Sequence, residues 1–281
     1  MTTSTLEART VAGLEILERP GTGPTVVGLA GLGSSGWAWE PLAERMPDIH
    51  LVAPSLRGRG GSQHHTGPTG LSAHARDVAA VVTELGLHDV VLVGHSMGAY
   101  LAPLVAKELG DRVRHLVLVD GGIRPALPFF LRPALTRMAF RKQLRATDRP
   151  MADVQEYARK GRLGSMIGSR TDLEPTLMRM LERELGGTPG ALRPRLDVAR
   201  AVEDAVDCFH GPSFEPALDA LTVPAYVLLA ENKKKDGQRP FITDKAVAPW
   251  VARQPLLKVQ RLKGNHVTVL FAPEVEAAVR A

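Results

Sequence analysis

Residues 90–98, VVLVGHSMG, decide the fold of this chain. The first five letters are typical of a strand that is buried on both faces, and a helical pattern of apolar residues follows as far as Leu109. A serine between two glycines at such a junction predicts a sharp strand-to-helix turn, because Gly94 and Gly98 carry no Cβ that would clash there. This turn lifts the hydroxyl of Ser96 above the sheet, so Ser96 is the candidate nucleophile.

Short apolar runs of the same kind occur on both sides of this stretch. They are rich in leucine and β-branched residues and show no polar alternation: residues 25–29, 50–54, 115–119 and 224–230, with 257–262 as a further candidate. Helical patterns lie between them, such as the one that begins with Ser72 as its predicted N-cap and ends before Gly86. Strands that alternate with helices predict a parallel sheet with right-handed crossovers.

The alternation does not continue through the middle of the chain. Residues 123–221 show no clear strand, and helical patterns predominate, such as the one that follows the capping box TDLE at 171–174. We therefore expect an α/β core made of residues 1–122 and 222–281, with residues 123–221 as an inserted helical cap. Such an insertion is expected over the mouth of the sheet, where open α/β folds bind ligands.

The composition is that of an ordinary globular chain. The 281 residues are 44% hydrophobic and 23% charged, which argues against a disordered or fibrous protein. Cys208 is the only cysteine, which excludes an internal disulfide and a zinc site built from cysteines. The sequence shows no signal peptide pattern and no apolar run long enough to cross a bilayer, so we expect a cytoplasmic protein without integral membrane association.

The charge pattern bears on possible partners. A net charge of +5 is compatible with an anionic partner, but the 35 basic and 30 acidic residues form a mixed surface, and no basic stretch is interleaved with aromatic residues as stacking platforms. We therefore expect no nucleic acid partner. Residues 123–162 hold ten Lys or Arg against three Asp or Glu. Three interpretations of this half of the predicted cap are open. Its basic residues meet an anionic group of the substrate, bind a membrane surface, or form a solvated charged face.

Three further stretches, taken together with GHSMG at 94–98, carry a resemblance to a known family. They are LAGLG at residues 29–33, PSLRGRGGS at residues 54–62 and GNH at residues 264–266. In this order and spacing the chain resembles the α/β-hydrolase superfamily over nearly its whole length. The three stretches look like that family's oxyanion loop, its D-x-R-G-x-G-x-S turn and its catalytic-histidine loop. Ala30, often a histidine, and Ser55, usually an aspartate, depart from the family pattern.

The resemblance implies an acyl-transfer mechanism. Serine is a weak nucleophile until a base takes its proton, and His266 is the best candidate for that base. His95 is expected to face away from the turn. By the resemblance, the backbone N–H groups of Leu32 and Met97 form the oxyanion hole. Trp37 is a candidate wall of the acyl pocket, although a packed core role would explain it equally well.

The acid that orients the histidine has three candidates. In the family it usually lies about three residues beyond the strand at 224–230, and Lys233 occupies that position. Asp120, which directly follows the strand at 115–119, is favoured, because some family members place their acid there. Asp236 and Glu231 remain alternatives, although three lysines next to Asp236 would compete for its charge. All three agree with the chain order serine, acid, histidine.

The pattern predicts a capped serine hydrolase that cleaves a carboxylic ester, lactone or thioester of a medium-sized, partly apolar small molecule. The same residues would serve an acyltransferase or a cofactor-free perhydrolase, and a catalytically weak ligand receptor on this fold is a rival. Gly31 and Gly33 lack the G-x-G-x-x-G spacing of a dinucleotide loop. No metal-ligating pattern is visible either, so neither a cofactor nor a metal is expected.

Overall fold

The computed structural model describes residues 6–125, 132–146, 148–161, 163–231 and 240–281. The strands in these ranges are β1 (Glu7–Val11), β2 (Leu14–Arg19), β3 (Thr25–Leu29), β4 (His50–Pro54), β5 (Val90–His95), β6 (Val113–Val119), β7 (Leu185–Gly186), β8 (Arg193–Pro194), β9 (Ala225–Ala230) and β10 (Leu257–Leu262). One sheet has the spatial order β1-β2-β4-β3-β5-β6-β9-β10. Its β1–β2 and β2–β4 pairs are antiparallel, and its other neighbouring pairs are parallel. The predicted, mostly parallel α/β sheet is confirmed.

Helices flank this sheet, and they also predominate in the described residues between β6 and β9. They are α1 (Glu40–Arg45), α2 (Leu71–Glu84), α3 (Met97–Leu109), α4 (Pro133–Arg145), α5 (Val154–Lys160), α6 (Leu163–Ile167), α7 (Glu174–Glu184), α8 (Val198–His210), α9 (Phe214–Asp219), α10 (Asp244–Arg253) and α11 (Pro273–Val279). Among the residues that the structure describes, no helix combines the length and apolarity needed to cross a bilayer.

The central strands are covered on both faces, as their unbroken apolar runs predict. Along β5, Val90 and Leu92 pack with α2 and α3, whereas Val91 and Val93 pack with α1 and α11 on the opposite face. All four side chains are fully buried. Each such burial contributes roughly 1.5–3 kcal/mol, so this one strand anchors both layers of the core.

The strand order brings three loops together at one edge of the sheet. The chain runs from β3 to β4 on one side and then crosses to β5 on the other, so the carboxyl ends of β3 and β5 flank a topological switch point. The parallel register pairs Leu29 with Gly94 and His95 with Val119. The loops after β3, β5 and β6 therefore leave the sheet at the same level.

Several local features differ from the sequence prediction, including the TDLE stretch, which forms a 3₁₀ turn (Thr171–Leu173) before α7 with no side-chain cap. β1 escapes it because this edge strand reads EARTV and exposes its first four residues, which leaves no apolar run to detect. α2 begins at Leu71 with Gly70 at its N-cap, so the prediction of Ser72 as the cap is wrong; the Ser72 hydroxyl instead donates to that of Ser213. The prediction of no strand in residues 123–221 is also wrong in detail, since β7 pairs with β8; two-residue strands carry no periodic signal.

We call residues 123–221 the helical segment. Two of its helices pack on α3: Cys208 of α8 is 3% exposed, and the ring of Phe214 in α9 lies edge-on to that of Tyr100 at 5.1 Å. Arg124 ties these helices together, because its Nε donates to the Cys208 carbonyl at 3.0 Å and its guanidinium lies 5.6 Å from the Phe214 ring centroid. The helices α8 and α9 are thus anchored on the face of the sheet that carries α3, whereas Ala158 of α5 and Leu177 of α7 pack with the cluster on the opposite face.

Candidate active site

Ser96 occupies the turn between β5 and α3. Its backbone has φ +54° and ψ −115°, a conformation that costs a non-glycine residue about 1–3 kcal/mol. A Cβ on Gly94 would lie 2.2 Å from the carbonyl oxygen of Gly98, and a Cβ on Gly98 would lie 1.9 Å from that of Leu29. The backbone therefore adopts this tight turn only because glycine stands at both positions.

Three side chains from separate loops form one hydrogen-bonded chain at this turn. Nε2 of His266 lies 3.0 Å from Oγ of Ser96, and Nδ1 of the same ring lies 2.6 Å from Oδ2 of Asp120. The Asp120 side chain is 1% exposed, whereas that of His266 is 34% exposed. With Nδ1–H donating to the carboxylate, Nε2 is left to accept the Ser96 hydroxyl. This is the arrangement that a base needs in order to take the serine proton.

The sheet itself places Asp120 next to Ser96. The two residues follow the paired last residues of β5 and β6, so they start from the same level on adjacent strands. Asp120 Oδ1 accepts the Ala230 N–H at 3.0 Å, while Oδ2 faces His266. Both carboxylate oxygens are therefore occupied, one by the backbone of β9 and the other by the imidazole.

The alternative acids are placed differently. Glu231 directly follows β9, is exposed, and donates its N–H to the Leu262 carbonyl at 3.0 Å. In the structure Nδ1 of His266 faces Asp120 rather than Glu231. Asp236 and Lys233 lie outside the described residues.

A compact hydrogen-bonded loop carries His266. Asn265 is 1% exposed, and its Oδ1 accepts the N–H groups of Val267 at 3.0 Å and Thr268 at 3.1 Å. In return, Thr268 Oγ1 accepts the Asn265 N–H at 2.9 Å. Gly264 enters this loop with φ +124°, a region that favours glycine. The backbone around His266 is therefore fixed from within the loop.

His95, which is expected to face away from the turn, supports the loop that carries His266. Its Nε2 lies 2.8 Å from the carbonyl oxygen of His266 and donates to it, and the two ring centroids are 4.9 Å apart. Burial, together with the nearby imidazole of His266, lowers the pKa of His95 to about 4. His95 is therefore neutral near pH 7 and braces the His266 backbone without adding a competing charge.

The two residues predicted to form the oxyanion hole lie in segments that adjoin Ser96. Met97 is the first residue of α3, where N–H groups lack an intrahelical acceptor and the helix dipole favours negative charge. Leu32 lies in the loop after β3, the strand next to β5. A Cβ on Gly31 of that loop would lie 3.4 Å from the Cβ of Ser96. The structure therefore brings both backbone segments to the serine.

Trp37 and Trp39 lie in the short 3₁₀-helix Gly36–Trp39 that follows this loop. Trp39 is 1% exposed, and its ring lies so near Gly28 that a Cβ there would be 2.6 Å away. Trp37 is only partly buried, and the guanidinium of Arg183 lies 4.7 Å from its ring centroid. Trp39 is thus a core residue, whereas Trp37 keeps accessible surface beside the helical segment.

The fold and this site together define a class of protein. The family model described as the alpha/beta hydrolase family matches residues 26–279. The chain belongs to the alpha/beta hydrolase family, as the sequence motifs predict, and its curated relatives include hydrolases.

Two relatives and one solved structure illustrate these similarities. Lipase LipV of Mycobacterium tuberculosis is 35% identical over 103 residues, which are 36% of this chain and 39% of that protein. The 2-(acetamidomethylene)succinate hydrolase of Mesorhizobium japonicum is 25% identical over 259 residues, 91% of this chain and 86% of that protein. The crystal structure of E-2-(acetamidomethylene)succinate hydrolase matches with a TM-score of 0.77 at 23% identity, over 97% of each chain. The chain spans about two fifths of the length of the first curated relatives it matches, 40% and 39%.

Proposed function

We propose that this protein is a serine hydrolase that works through an acyl-enzyme on Ser96, with His266 as the base and Asp120 as the orienting acid. One observation carries the proposal: the 3.0 Å and 2.6 Å contacts that join these three side chains, with the carboxylate 1% exposed. A buried carboxylate holds the imidazole in one tautomer and stabilises its protonated form. The arrangement therefore supplies what a serine hydroxyl lacks on its own.

In the first half-reaction, Oγ of Ser96 attacks the carbonyl carbon of the substrate, and its proton passes to Nε2 of His266. The electron pair of the carbonyl bond moves onto oxygen, which accepts hydrogen bonds from the N–H groups of Leu32 and Met97. Asp120 stabilises the imidazolium. The tetrahedral intermediate then collapses: the carbonyl re-forms, the bond to the leaving group breaks, and the leaving group takes the proton from Nε2.

In the second half-reaction, a water molecule attacks the acyl-enzyme. Nε2 of His266 takes one proton from the water while the hydroxyl oxygen bonds to the acyl carbon. A second oxyanion forms at the Leu32 and Met97 amides, and its collapse breaks the bond to Ser96. The carboxylic acid leaves, and the proton on Nε2 returns to the serine oxygen. Each cycle consumes one substrate molecule and one water, and it returns the free enzyme.

For the substrate, we propose a carboxylic ester, lactone or thioester of a medium-sized, partly apolar molecule, with residues 123–221 as the cap. Trp37, Val267 beside the base, and Met180 and Leu181 of α7 are partly buried and pack against the same hydrophobic cluster. These side chains are suited to line an apolar acyl site between the sheet and the helical segment. The name of the relative that aligns with 91% of the chain adds 2-(acetamidomethylene)succinate to the compounds worth testing.

The first experiment is the intact mass of the protein after exposure to a fluorophosphonate probe. We expect one adduct on the wild type and on the control Ser72→Ala, and none on Ser96→Ala. An unmodified but well-folded wild type would contradict the proposal and favour a ligand receptor on this fold. Once labelling is established, esters, lactones and thioesters are assayed with and without added alcohols, amines and peroxide, which separates hydrolysis from acyl transfer and perhydrolysis.

A further inference from the structure

We call residues 30–35 the oxyanion loop. A buried ionic cluster lies beside this loop, and it shares no side chain with the Ser96 site. Arg59 is 1% exposed, and Asp204 of α8 and His74 of α2 are fully buried. Nη1 of Arg59 lies 2.8 Å from Oδ2 of Asp204, and Nε2 of His74 lies 3.0 Å from the same oxygen. The Gly70 N–H donates to Oδ1 at 2.8 Å. Charges buried this deeply persist only with such partners.

Asp204 is ionised in this cluster. Burial by itself would raise its pKa, but the hydrogen bond from His74 and the positive charge of Arg59 outweigh burial and hold the pKa well below its usual range. The ion pair is therefore intact throughout the neutral pH range. It fastens α8 of the helical segment to the turn at residues 54–62.

Arg59 also contacts both residues of the proposed oxyanion hole. Its Nε donates to the carbonyl oxygen of Leu32 at 3.0 Å, and its Nη2 lies 3.5 Å from Sδ of Met97. A guanidinium is planar and rigid, so the hold of Asp204 on Nη1 also fixes the direction in which Nε points. One buried cation thereby sets the peptide carbonyl of Leu32 relative to the start of α3.

The oxyanion loop needs such a restraint from outside. Leu32 stands between Gly31 and Gly33, and a Cβ on Gly33 would meet nothing within 4 Å. Glycines on both sides leave the neighbouring peptide planes unusually free to turn. A displacement of about 1 Å at a catalytic group costs on the order of 10²-fold in rate. Within the loop, the Ser34 N–H donates to the Gly31 carbonyl at 3.2 Å and the Leu32 side chain packs on the core, but neither contact holds the Leu32 carbonyl, which accepts from Arg59.

The other end of the loop is held by the helical segment as well. Ser35, which is fully buried, donates its N–H to Oε1 of Glu184 at 2.8 Å and its hydroxyl to the same oxygen at 3.0 Å. Glu184 is the last residue of α7. Two acidic side chains from two helices of the segment, Glu184 of α7 and Asp204 of α8, therefore restrain the oxyanion loop, Glu184 directly and Asp204 through Arg59.

We propose that Arg59 is a positioning residue for the oxyanion hole and that Asp204 anchors it, so that the placement of the helical segment sets the geometry of the hole. This inference rests on the proposed function, because it concerns the oxyanion of that same reaction. An ion pair with a merely structural role would change stability alone. A positioning residue changes the binding of the tetrahedral oxyanion more than the binding of the substrate.

The test compares Arg59→Lys with the matched control Arg57→Lys. Arg57 lies on the same turn, and its side chain forms a bidentate pair with Asp77 and contacts no residue of the oxyanion loop. Its backbone carbonyl accepts from Nη1 of Arg59 at 2.8 Å, a contact that a change of the Arg57 side chain leaves in place. We expect Arg59→Lys to lower kcat for a p-nitrophenyl ester by about 10- to 100-fold, with KM within about threefold of wild type. Inhibition by a trifluoromethyl ketone, which forms a tetrahedral oxyanion on serine, should weaken by a similar factor. Arg57→Lys should keep kcat within about twofold.

Asp204→Asn provides a second variant, because the asparagine oxygen still accepts from Arg59 while the anchoring charge is gone. We expect the same split between kcat and KM, smaller in size. A folded Arg59→Lys or Asp204→Asn with wild-type kcat and wild-type ketone inhibition overturns the inference. Fluorophosphonate labelling of wild-type Ser96 separates two failures. If Ser96 is labelled but kcat and ketone inhibition of the variants equal those of wild type, only this inference fails. If Ser96 is not labelled, the proposed function fails and the inference fails with it.

Discussion

Oδ2 of Asp120 lies 2.6 Å from Nδ1 of His266, although 146 positions separate the two residues in the chain. Asp120 follows β6, the strand beside the one that carries Ser96, rather than β9 further along the sheet. The spacing between Asp120 and Ser96, the proposed acid and nucleophile, is therefore set by the register of two adjacent parallel strands. A ladder of backbone hydrogen bonds fixes that spacing more firmly than a long loop would.

The first prediction concerns this acid. Asp120→Asn should lower kcat by about 10³- to 10⁴-fold, because the amide neither stabilises the imidazolium nor holds the Nδ1–H tautomer. Asp236→Asn and Glu231→Gln are the matched controls and should stay close to wild type. The three variants are compared by steady-state kinetics on one ester at one pH. A larger loss in Asp236→Asn than in Asp120→Asn would move the role to the loop after β9.

The second prediction concerns the nucleophile. Ser96→Ala should lower turnover on the order of 10⁶-fold and leave the fold intact. The backbone bond from the Ser96 N–H to the Val119 carbonyl, 3.0 Å, does not depend on the hydroxyl. Turnover and thermal unfolding are measured on the same preparation. If the variant retained even a tenth of the wild-type activity, the acyl-enzyme mechanism would be wrong.

The third prediction concerns pH and stability. Burial raises the pKa of Glu184 to about 7, and the hydrogen bonds from Ser35 only partly oppose this; Glu15 raises the pKa further and Arg195 lowers it. In the unfolded chain a glutamate has a pKa of about 4.3. At a pH between these two pKa values, Glu184 keeps its proton in the folded protein but has lost it in the unfolded chain. The contribution of Glu184 to stability therefore falls as the pH rises from about 5 to 8.

Glu184→Gln keeps an oxygen acceptor for Ser35 and removes the ionisation. We therefore expect the Tm difference between Glu184→Gln and wild type to increase from pH 5 to pH 8. Over this range the difference between their free energies of unfolding should change by on the order of 1–3 kcal/mol. Glu182→Gln, an exposed position on the same helix, should show no such trend. An offset between Glu184→Gln and wild type that stays constant over this range would contradict the prediction.

The fourth prediction concerns the serine turn. Gly98→Ala should destabilise the fold by about 3 kcal/mol or more, because the new Cβ would lie 1.9 Å from the Leu29 carbonyl oxygen and backbone cannot move aside as a side chain can. Gly164→Ala on α6 is the control, since a Cβ there meets nothing within 4 Å. It should be neutral or stabilise by up to about 1 kcal/mol. Urea unfolding measures both, and equal effects would refute the steric argument.

The fold and the positions of Ser96 and His266 are accessible from the sequence because each depends on a local pattern. Apolar runs mark the strands, and a serine between glycines marks the turn. The proposed acid, Asp120, is harder to find, because the choice depends on which strand end lies next to His266, a contact between distant parts of the chain. Lys233 reveals only that the family's usual position is taken by an unsuitable residue.

The restraints on the oxyanion loop lie beyond sequence reasoning for a related reason. Asp204 and Glu184 stand in ordinary amphipathic helices, where the spacing does not distinguish a buried carboxylate from a solvated one. Arg59 offers a weak signal, since it is a charged residue between two glycines in a turn at the carboxyl edge of the sheet. The departure at Ser55 has a structural answer: its hydroxyl donates to Glu15 at 2.7 Å and accepts the Gly36 N–H at 3.1 Å.

The accessibility of the Cys208 thiol reports on local opening of α8. This thiol is the only one in the sequence, it is 3% exposed where α8 meets the core, and burial raises its pKa, so a thiol reagent reaches it only while α8 is lifted. The labelling rate of the folded protein is compared with the rate of global unfolding. This comparison measures how often α8 opens while the sheet stays folded. Labelling faster than global unfolding would mean that α8 opens locally while the sheet stays folded. Labelling no faster than unfolding would mean that α8 separates from the core only when the whole protein unfolds.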